Sequence, residues 1–464
     1  MNPDPASRAP SDWRVPHVTA PVSAVAAVPG SKSMTNRALL LAVLADGPTL
    51  IAGPLRARDT SLMTGALRAL GCVIDDASDP WRVTRPLPGP GQPASPAGPR
   101  GAGRRDIEID LGNAGTVLRF VPPVAALTTA DVRFTGDPRI SQRPVGPLLA
   151  ALRELGALVE DGGTGAVPFV VHGQGRVPGG AVTIDASASS QLVSGLLLAA
   201  ARFDRGVRIT HAGPPVPSAP HISMTVRMLR ARGVEVRTGD DDERADQDTG
   251  PGSPVTRRWR VSPGPISGGR IDIEPDLSNA LPFVAAALAT GGEVTVAGWP
   301  AVSLQPAARI IDLITAMGAR ASQVPGGLRV TGPGRIRGLR ADLSEVGELT
   351  PVLTALAALA DGPSELTGIG HLRTHETDRL AALAGEIGKL GGDVTELDDG
   401  LRIRPRPLSA DGVVFDSHDD HRLVMAAAVL GLVTPGLRVH NAETAAKTFP
   451  GFVDLWTRIV APAG

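Results

Sequence analysis

The chain contains no tyrosine and a single cysteine, Cys72, and aromatic residues make up only 3% of its 464 residues. One cysteine excludes a disulfide framework and a cysteine-ligated zinc site. Formal net charge is −1, so there is no global basic field of the kind nucleic-acid binding uses. Any anion site must be a local concentration of Lys and Arg. Apolar runs such as Ala38 to Ala45 fall short of the ~20 residues a membrane span requires. The opening "MNPDPASRAPSDW" is polar and proline-rich, unlike a secretory leader, and a cytoplasmic protein is the expectation. A content of 42% apolar and 20% charged residues fits a globular chain, and its length favours two domains.

One plan recurs along the chain. "ALRALGCVID", "ALRELGALVE", "MLRARGVEVR", "LITAMGARAS" and "EIGKLGGDVT" each join the end of an amphipathic helix to a glycine and then to an alternating segment. Gly71, Gly156, Gly233, Gly318 and Gly391 are expected just past the helix ends, in the left-handed conformation, and the alternation predicts a strand. Six further segments pair a polar or glycine-bearing turn with an Ala/Leu helix: "GSKSMTNRALLLAVLA", "LGNAGTVLRFVPPVAAL", "ASASSQLVSGLLLAAA", "DLSNALPFVAAALA", "DLSEVGELTPVLTALAALA" and "SHDDHRLVMAAAVLGL". Six strand–helix units predict α/β domains built from repeats. Ala-rich helices with no charged face should be buried, with sheets packed around them. The Pro/Gly-rich stretch 85–105 and the charged stretch 238–258 are expected to be exposed insertions.

The helix-opening loops carry the chemistry. "GSKS" is not a P-loop: that motif needs a Gly-Lys pair with a glycine five positions earlier, whereas here Lys32 follows Ser31 and Val25 stands five before Gly30. It still sets Lys32, Ser33 and Arg37 at a helix N-terminus, where unpaired N–H groups favour an anion. "LGNAGTVLR" brings Asn113, Gly115, Thr116 and Arg119, "SSQ" brings Ser189, Ser190 and Gln191, and "GDPRISQRP" brings Arg139 and Arg143. "HETDRL" holds His375, Glu376 and Arg379, "DDHR" holds His421 and Arg422, and "AKTFP" holds Lys447. Taken singly, each has a plain alternative: a solvated charge, an N-cap serine, or an i,i+3 helix pair for Glu376 and Arg379. His418 and His421 lack a clear third ligand, which argues against a metal. Recurrence of anion-suited loops on most of the six units favours function.

In their order, spanning residues 29 to 450, these motifs resemble the 5-enolpyruvylshikimate-3-phosphate synthase family of enolpyruvyl transferases. The resemblance implies two similar inverted α/β barrels with helices inside, three repeats each, and an interdomain active-site cleft that closes on substrate. One domain would comprise 1–31 and 274–464, the other 32–273. The implied reaction joins phosphoenolpyruvate to the 5-hydroxyl of shikimate 3-phosphate through a tetrahedral intermediate and releases phosphate, in a monomer that needs no cofactor or metal. Two phosphates and a carboxylate call for clustered guanidinium and ammonium groups.

By motif match, Lys32, Gly115, Arg139, Gln191, Arg379, Arg422 and Lys447 are implied to hold phosphoenolpyruvate. Lys32, Ser33, Arg37, Ser189, Ser190, Gln191, Ser218, Glu348 and His375 are implied to hold shikimate 3-phosphate. Glu348 replaces the family's catalytic aspartate as base toward the 5-hydroxyl, with Glu376 and Lys32 as proton carriers. The chain departs from the common pattern at His221 (tyrosine in many members), His375 (lysine) and Phe120 (proline). The sister transferase acting on UDP-N-acetylglucosamine usually has a reactive cysteine where this chain has "GDPRISQRP". Cys72, between a helix-capping glycine and Val73, looks structural. A non-catalytic anion-binding protein on the same fold is the remaining alternative, and it would have lost one of these charged positions.

Overall fold

The computed structural model describes residues 12–85, 87, 104–239 and 258–460. The stretches 85–105 and 238–258 fall almost wholly outside those residues. The chain divides into two compact units, one from Gly30 to Ile273, the other running to Pro29 and resuming at Glu274.

In the unit Gly30–Ile273, three four-stranded sheets share one topology. Strand Asp106–Asp110 runs parallel to Asp131–Thr135, which pairs antiparallel with Phe169–His172, which in turn pairs with Leu158–Glu160. The first of these strands reads Asp-Ile-Glu-Ile-Asp, its isoleucines buried and its acids exposed, the period-2 pattern of a half-buried strand. Gly180–Ile184 heads a second such sheet, parallel to Val207–His211, and Gly269–Asp272 heads the third, parallel to Thr49–Ala52.

The other unit repeats the plan. Ser23–Ala26 is parallel to Glu293–Ala297, Arg340–Asp342 to Ser364–Thr367, and Val414–Asp416 to Arg438–His440. Two lead strands are exchanged relative to chain order. Ser23–Ala26 leads into helix Lys32–Val43 yet pairs with the strand that follows helix Leu277–Thr290. Gly269–Asp272 leads into that second helix yet pairs with the strand following the first. The sixth repeat departs from its five siblings. It ends in helix Phe452–Val460, and the antiparallel partner of Arg438–His440 is Trp13–Arg14, from the other end of the chain.

Between the parallel strands of each repeat lies a helix without a wet face. Gly115–Ala125, Thr350–Ala358 and His421–Gly431 are buried at every position. Lys32–Val43, Ser190–Ala200 and Leu277–Thr290 are buried over nearly their whole length. Ala, Leu and Val fill these helices because neighbouring backbones come close. Gly195 lies directly against the Arg119 carbonyl. Pro123 occupies the position whose N–H would otherwise donate to that carbonyl. A side chain at 195 would collide with backbone, so only glycine fits.

The amphipathic helices end as expected. Gly71, Gly156, Gly233, Gly318 and Gly391 have φ of 102°, 95°, 79°, 104° and 87°, conformations other residues resist. Among the described residues no helix is long and apolar enough to cross a membrane.

Candidate active site

The polar groups of the unit Gly30–Ile273 gather at the starts of its buried helices. Ser31 caps helix Lys32–Val43, and Lys32, its first residue, reaches Asp59 with Nζ–Oδ2 3.0 Å. Ser33 is half-buried and its carbonyl accepts from Arg37 Nη1 at 2.9 Å. Arg37, expected to face a substrate, is 1% exposed. Its Nε donates to Thr225 Oγ1 at 2.7 Å, and Nη2 donates to Ser194 Oγ at 3.3 Å and to the His221 carbonyl at 3.2 Å. The guanidinium also lies 5.1 Å from the Phe120 ring centroid, a cation–π contact. Burial among neutral partners pushes the Arg37 pKa down to about 9. Arg37 therefore ties together three helices beneath the loops.

Gly115 opens the next helix. A Cβ there would stand 2.6 Å from Arg143 Nη2 and 3.0 Å from Arg119 Nη1, so its absence lets two guanidiniums crowd the loop. Arg143 Nη1 donates to the Asn113 carbonyl at 2.8 Å. Arg119 donates to Gln191 Oε1 at 2.9 Å and to the Pro144 carbonyl at 3.0 Å. Burial, and then the Arg143 charge, hold the Arg119 pKa well below the usual guanidinium range. Two like charges this close, one bonded only to neutral groups, make a place where an anion would be stabilised. Arg139 Nη1 meets Gln142 Oε1 at 2.6 Å. Ser189 caps helix Ser190–Ala200 by accepting from the Gln191 N–H at 3.3 Å, and Ser190 is buried. Ser218 takes a left-handed φ of 52° just before helix Pro220–Arg230.

In the other unit Arg379 meets a carboxylate, whereas Arg422 and Lys447 bond to a hydroxyl and a backbone carbonyl. Arg379 begins helix Arg379–Lys389 and grips Asp420 with two bonds, Nε–Oδ2 2.7 Å and Nη2–Oδ1 3.2 Å. Burial opposes its charge, but Asp420, Glu376 and Glu348 outweigh it and raise the pKa. Asp420 also caps helix His421–Gly431 by accepting the Arg422 N–H at 2.8 Å. Arg422 Nη2 donates to Ser278 Oγ at 2.7 Å. Its pKa is lowered by burial, against which the Asp276 and Glu348 carboxylates act. Glu376 lies before the helix and accepts from His421 Nδ1 at 3.0 Å, while its charge also acts on Arg379. Burial holds the His421 pKa down, partly offset by Glu376. A neutral ring protonated at Nδ1 satisfies that contact.

His375 Nδ1 faces Arg379 Nη1 at 3.3 Å. A guanidinium only donates, so His375 accepts there and carries its proton on Nε2. Glu348 sits in the short turn Gly347–Leu349 that feeds helix Thr350–Ala358. Its charge acts on Arg379, Arg422 and His371. His371, missed in the sequence, packs edge-on to His375 with centroids 5.5 Å apart. Its Nε2 lies 2.8 Å from where a Cβ of Gly347 would be, and burial lowers its pKa while Glu348 raises it. Lys447 ends the turn Ala442–Lys447 and donates to the Asp419 carbonyl at 2.6 Å.

The two histidines weighed as a metal pair part company, His418 Nε2 meeting Glu386 at 2.7 Å. Glu376, Asp420 and His421 do bring ligand-type atoms within 4.8 Å of one another. With Arg379 bidentate on Asp420, that group is an ion-pair network. His418 and Asp419 both take left-handed φ, 48° and 54°, a conformation costing a non-glycine residue about 1 kcal/mol or more.

A sequence model of the family "EPSP synthase (3-phosphoshikimate 1-carboxyvinyltransferase)" matches residues 17–456. The chain is 48% identical over 445 residues to the 3-phosphoshikimate 1-carboxyvinyltransferase of Kocuria rhizophila, covering 96% of this chain and 95% of the relative. It superposes on EPSP synthase from Acinetobacter baumannii with a TM-score of 0.75 at 26% identity, covering 97% and 98% of the two chains. The enolpyruvyl transferase NikO from Streptomyces tendae, 16% identical, shares the fold, with a TM-score of 0.68 and 96% of each chain covered.

Proposed function

The chain belongs to the EPSP synthase family, and we propose that its helix-opening loops carry out that family's reaction on one pair of substrates. The protein transfers the enolpyruvyl group of phosphoenolpyruvate to the 5-hydroxyl of shikimate 3-phosphate and releases phosphate. The observation that carries this reading is the 48% identity to a 3-phosphoshikimate 1-carboxyvinyltransferase over nearly the whole chain. The clusters of buried arginines at the helix starts support it.

In this reading Ser33, Ser189, Ser190, Gln191, Ser218 and His375 hold shikimate 3-phosphate. Arg37, buried and bonded to Ser194 and Thr225, fixes the floor under that substrate. Arg139, Arg379, Arg422 and Lys447 hold the carboxylate and phosphate of phosphoenolpyruvate, with Lys32 and Gln191 reaching both substrates. Gly115 leaves room for the Arg119 and Arg143 guanidiniums. Glu348 takes the proton from the 5-hydroxyl as that oxygen bonds to C2 of phosphoenolpyruvate. A proton from Lys32 or Glu376 goes to C3, which becomes a methyl group. The tetrahedral intermediate then expels phosphate while a base takes a proton back from the methyl group, restoring the double bond.

The same reading makes each unit an inverted α/β barrel of three repeats, which the full burial of the helices supports. It places the enzyme in the cytoplasm as a monomer, without metal or cofactor. The test is phosphate release from phosphoenolpyruvate with each acceptor. Release only with shikimate 3-phosphate is expected. Release with UDP-N-acetylglucosamine would move the chain to the sister activity, and tight binding without any release would make it a binding protein.

A further inference from the structure

Two strained turns lie behind the cations of the unit that resumes at Glu274, and they are bonded to each other. In the first, His418 and Asp419 are consecutive non-glycine residues with left-handed φ; in the second, Asn441 has φ 51°. Asn441 Nδ2 donates to Asp419 Oδ1 at 2.5 Å, and Ser417 Oγ donates to the Asn441 carbonyl at 3.2 Å. Each turn carries functional charge. The first ends at Asp420, which grips Arg379 and caps the helix of His421 and Arg422. The second opens the short helix Ala442–Lys447, and Lys447 bonds back to the Asp419 carbonyl at 2.6 Å.

Strain of this kind persists only where surrounding contacts over-determine it. The main constraint is Glu386, 2% exposed, two turns beyond Arg379 on the same helix. Its carboxylate accepts from His418 Nε2 at 2.7 Å, from the Asp416 N–H at 2.9 Å, and from Lys389 Nζ at 2.7 Å and 2.9 Å. A buried carboxylate is retained where its partners are, and here every partner lies in or beside the strained turn or on its own helix.

We propose that Glu386, His418 and Asn441 are positioning residues for phosphoenolpyruvate: they lock the two left-handed turns and so aim Lys447, and through Asp420 the Arg379 guanidinium. This rests on the reading that Arg379 and Lys447 hold phosphoenolpyruvate. In that reading none of the three is among the residues that hold substrate. Without the His418–Glu386 bond the turn relaxes, the Asp419 carbonyl swings, and Lys447 loses its anchor.

The test is steady-state kinetics on four single variants with thermal unfolding as control. His418→Asn tolerates the left-handed backbone but is too short to reach Glu386. Asn441→Gly keeps that backbone freedom and removes the bond to Asp419. Glu386→Gln keeps the shape and loses the charge. Lys447→Ala removes the aimed group. For the first three we expect the KM for phosphoenolpyruvate to rise tenfold or more, with the KM for shikimate 3-phosphate within twofold of the parent. Adding Asn441→Gly to Lys447→Ala should raise it no further. If Lys447→Ala raises that KM while His418→Asn and Asn441→Gly leave it at the parent value, the positioning role is refuted and the reading of Lys447 stands. If Lys447→Ala leaves it unchanged, both are overturned. Equal loss for the two substrates would show a merely structural role.

Discussion

The two units repeat one strand–helix plan, and Arg37 and Arg119 in one contrast with Arg379 in the other. Arg422, bonded to Ser278 Oγ with a lowered pKa, sides with the first pair. In Gly30–Ile273, Arg37 and Arg119 bond to hydroxyls, carbonyls and an amide, and both have lowered pKa values. In the unit resuming at Glu274, Arg379 is equally buried but clamped by Asp420, and its pKa is raised. A buried cation among neutral dipoles is stabilised by an arriving anion; one already paired with a carboxylate is held in place. The first unit is thus suited to receive a substrate phosphate. The second brings its own acids, Glu348 and Glu376, whose charges act on Arg379.

The largest effect should come at Lys32, which the proposed reading sets against both substrates. Lys32→Met is expected to lower kcat roughly a thousandfold with the thermal midpoint near the parent value; near-normal turnover would remove Lys32 from the chemistry. Next, equivalent truncations should separate the units. Arg379→Met leaves Asp420, which is 0% exposed, without its charge partner and should cost about 3 kcal/mol in urea denaturation. Arg119→Met leaves only neutral partners and should cost about 1 kcal/mol. Equal losses would erase the distinction. Gly115→Ala places a methyl group 2.6 Å from Arg143 Nη2 and should raise the KM for phosphoenolpyruvate about tenfold, or ~1.4 kcal/mol. An unchanged value would show that the Arg143 guanidinium is free to move aside.

The smallest effect is on stability against pH. The folded-state pKa of His421 is lowered by burial, so below about pH 6.5 the unfolded chain binds the extra proton first. Stability should fall as pH drops from about 7 to 5, and His421→Gln should reduce that loss. A parallel loss in the variant would assign it to other groups.

What was legible in the sequence followed from residue types with few alternatives. Glycine after a helix reads as a left-handed cap because other residues resist that conformation, and all five behave so. Alanine- and leucine-filled helices read as buried because they have no face for water. The arginines' partners were not legible. Asp276 and Asp420 cap their helices, and nothing local shows that each also lies within reach of an arginine. Arg37 read as a contact to shikimate 3-phosphate, and its burial was hidden because three helices that come together only in the fold cover it. His371 stood in a run with no period to place it beside Glu348. The exchange of the two lead strands was invisible in the residues themselves, since Ser23–Ala26 and Gly269–Asp272 precede similar loops. The pairing of Trp13–Arg14 with Arg438–His440 was equally hidden, two residues being too few to show alternation.

The division of labour between the units is tested most directly by calorimetric titration of shikimate 3-phosphate, without phosphoenolpyruvate, into two variants. Ser190→Ala, at the start of a buried helix in Gly30–Ile273, is predicted to weaken binding about tenfold. Arg422→Gln, in the unit resuming at Glu274, is predicted to leave the Kd within about threefold of the parent. Full affinity in the first variant together with a large loss in the second would contradict the account.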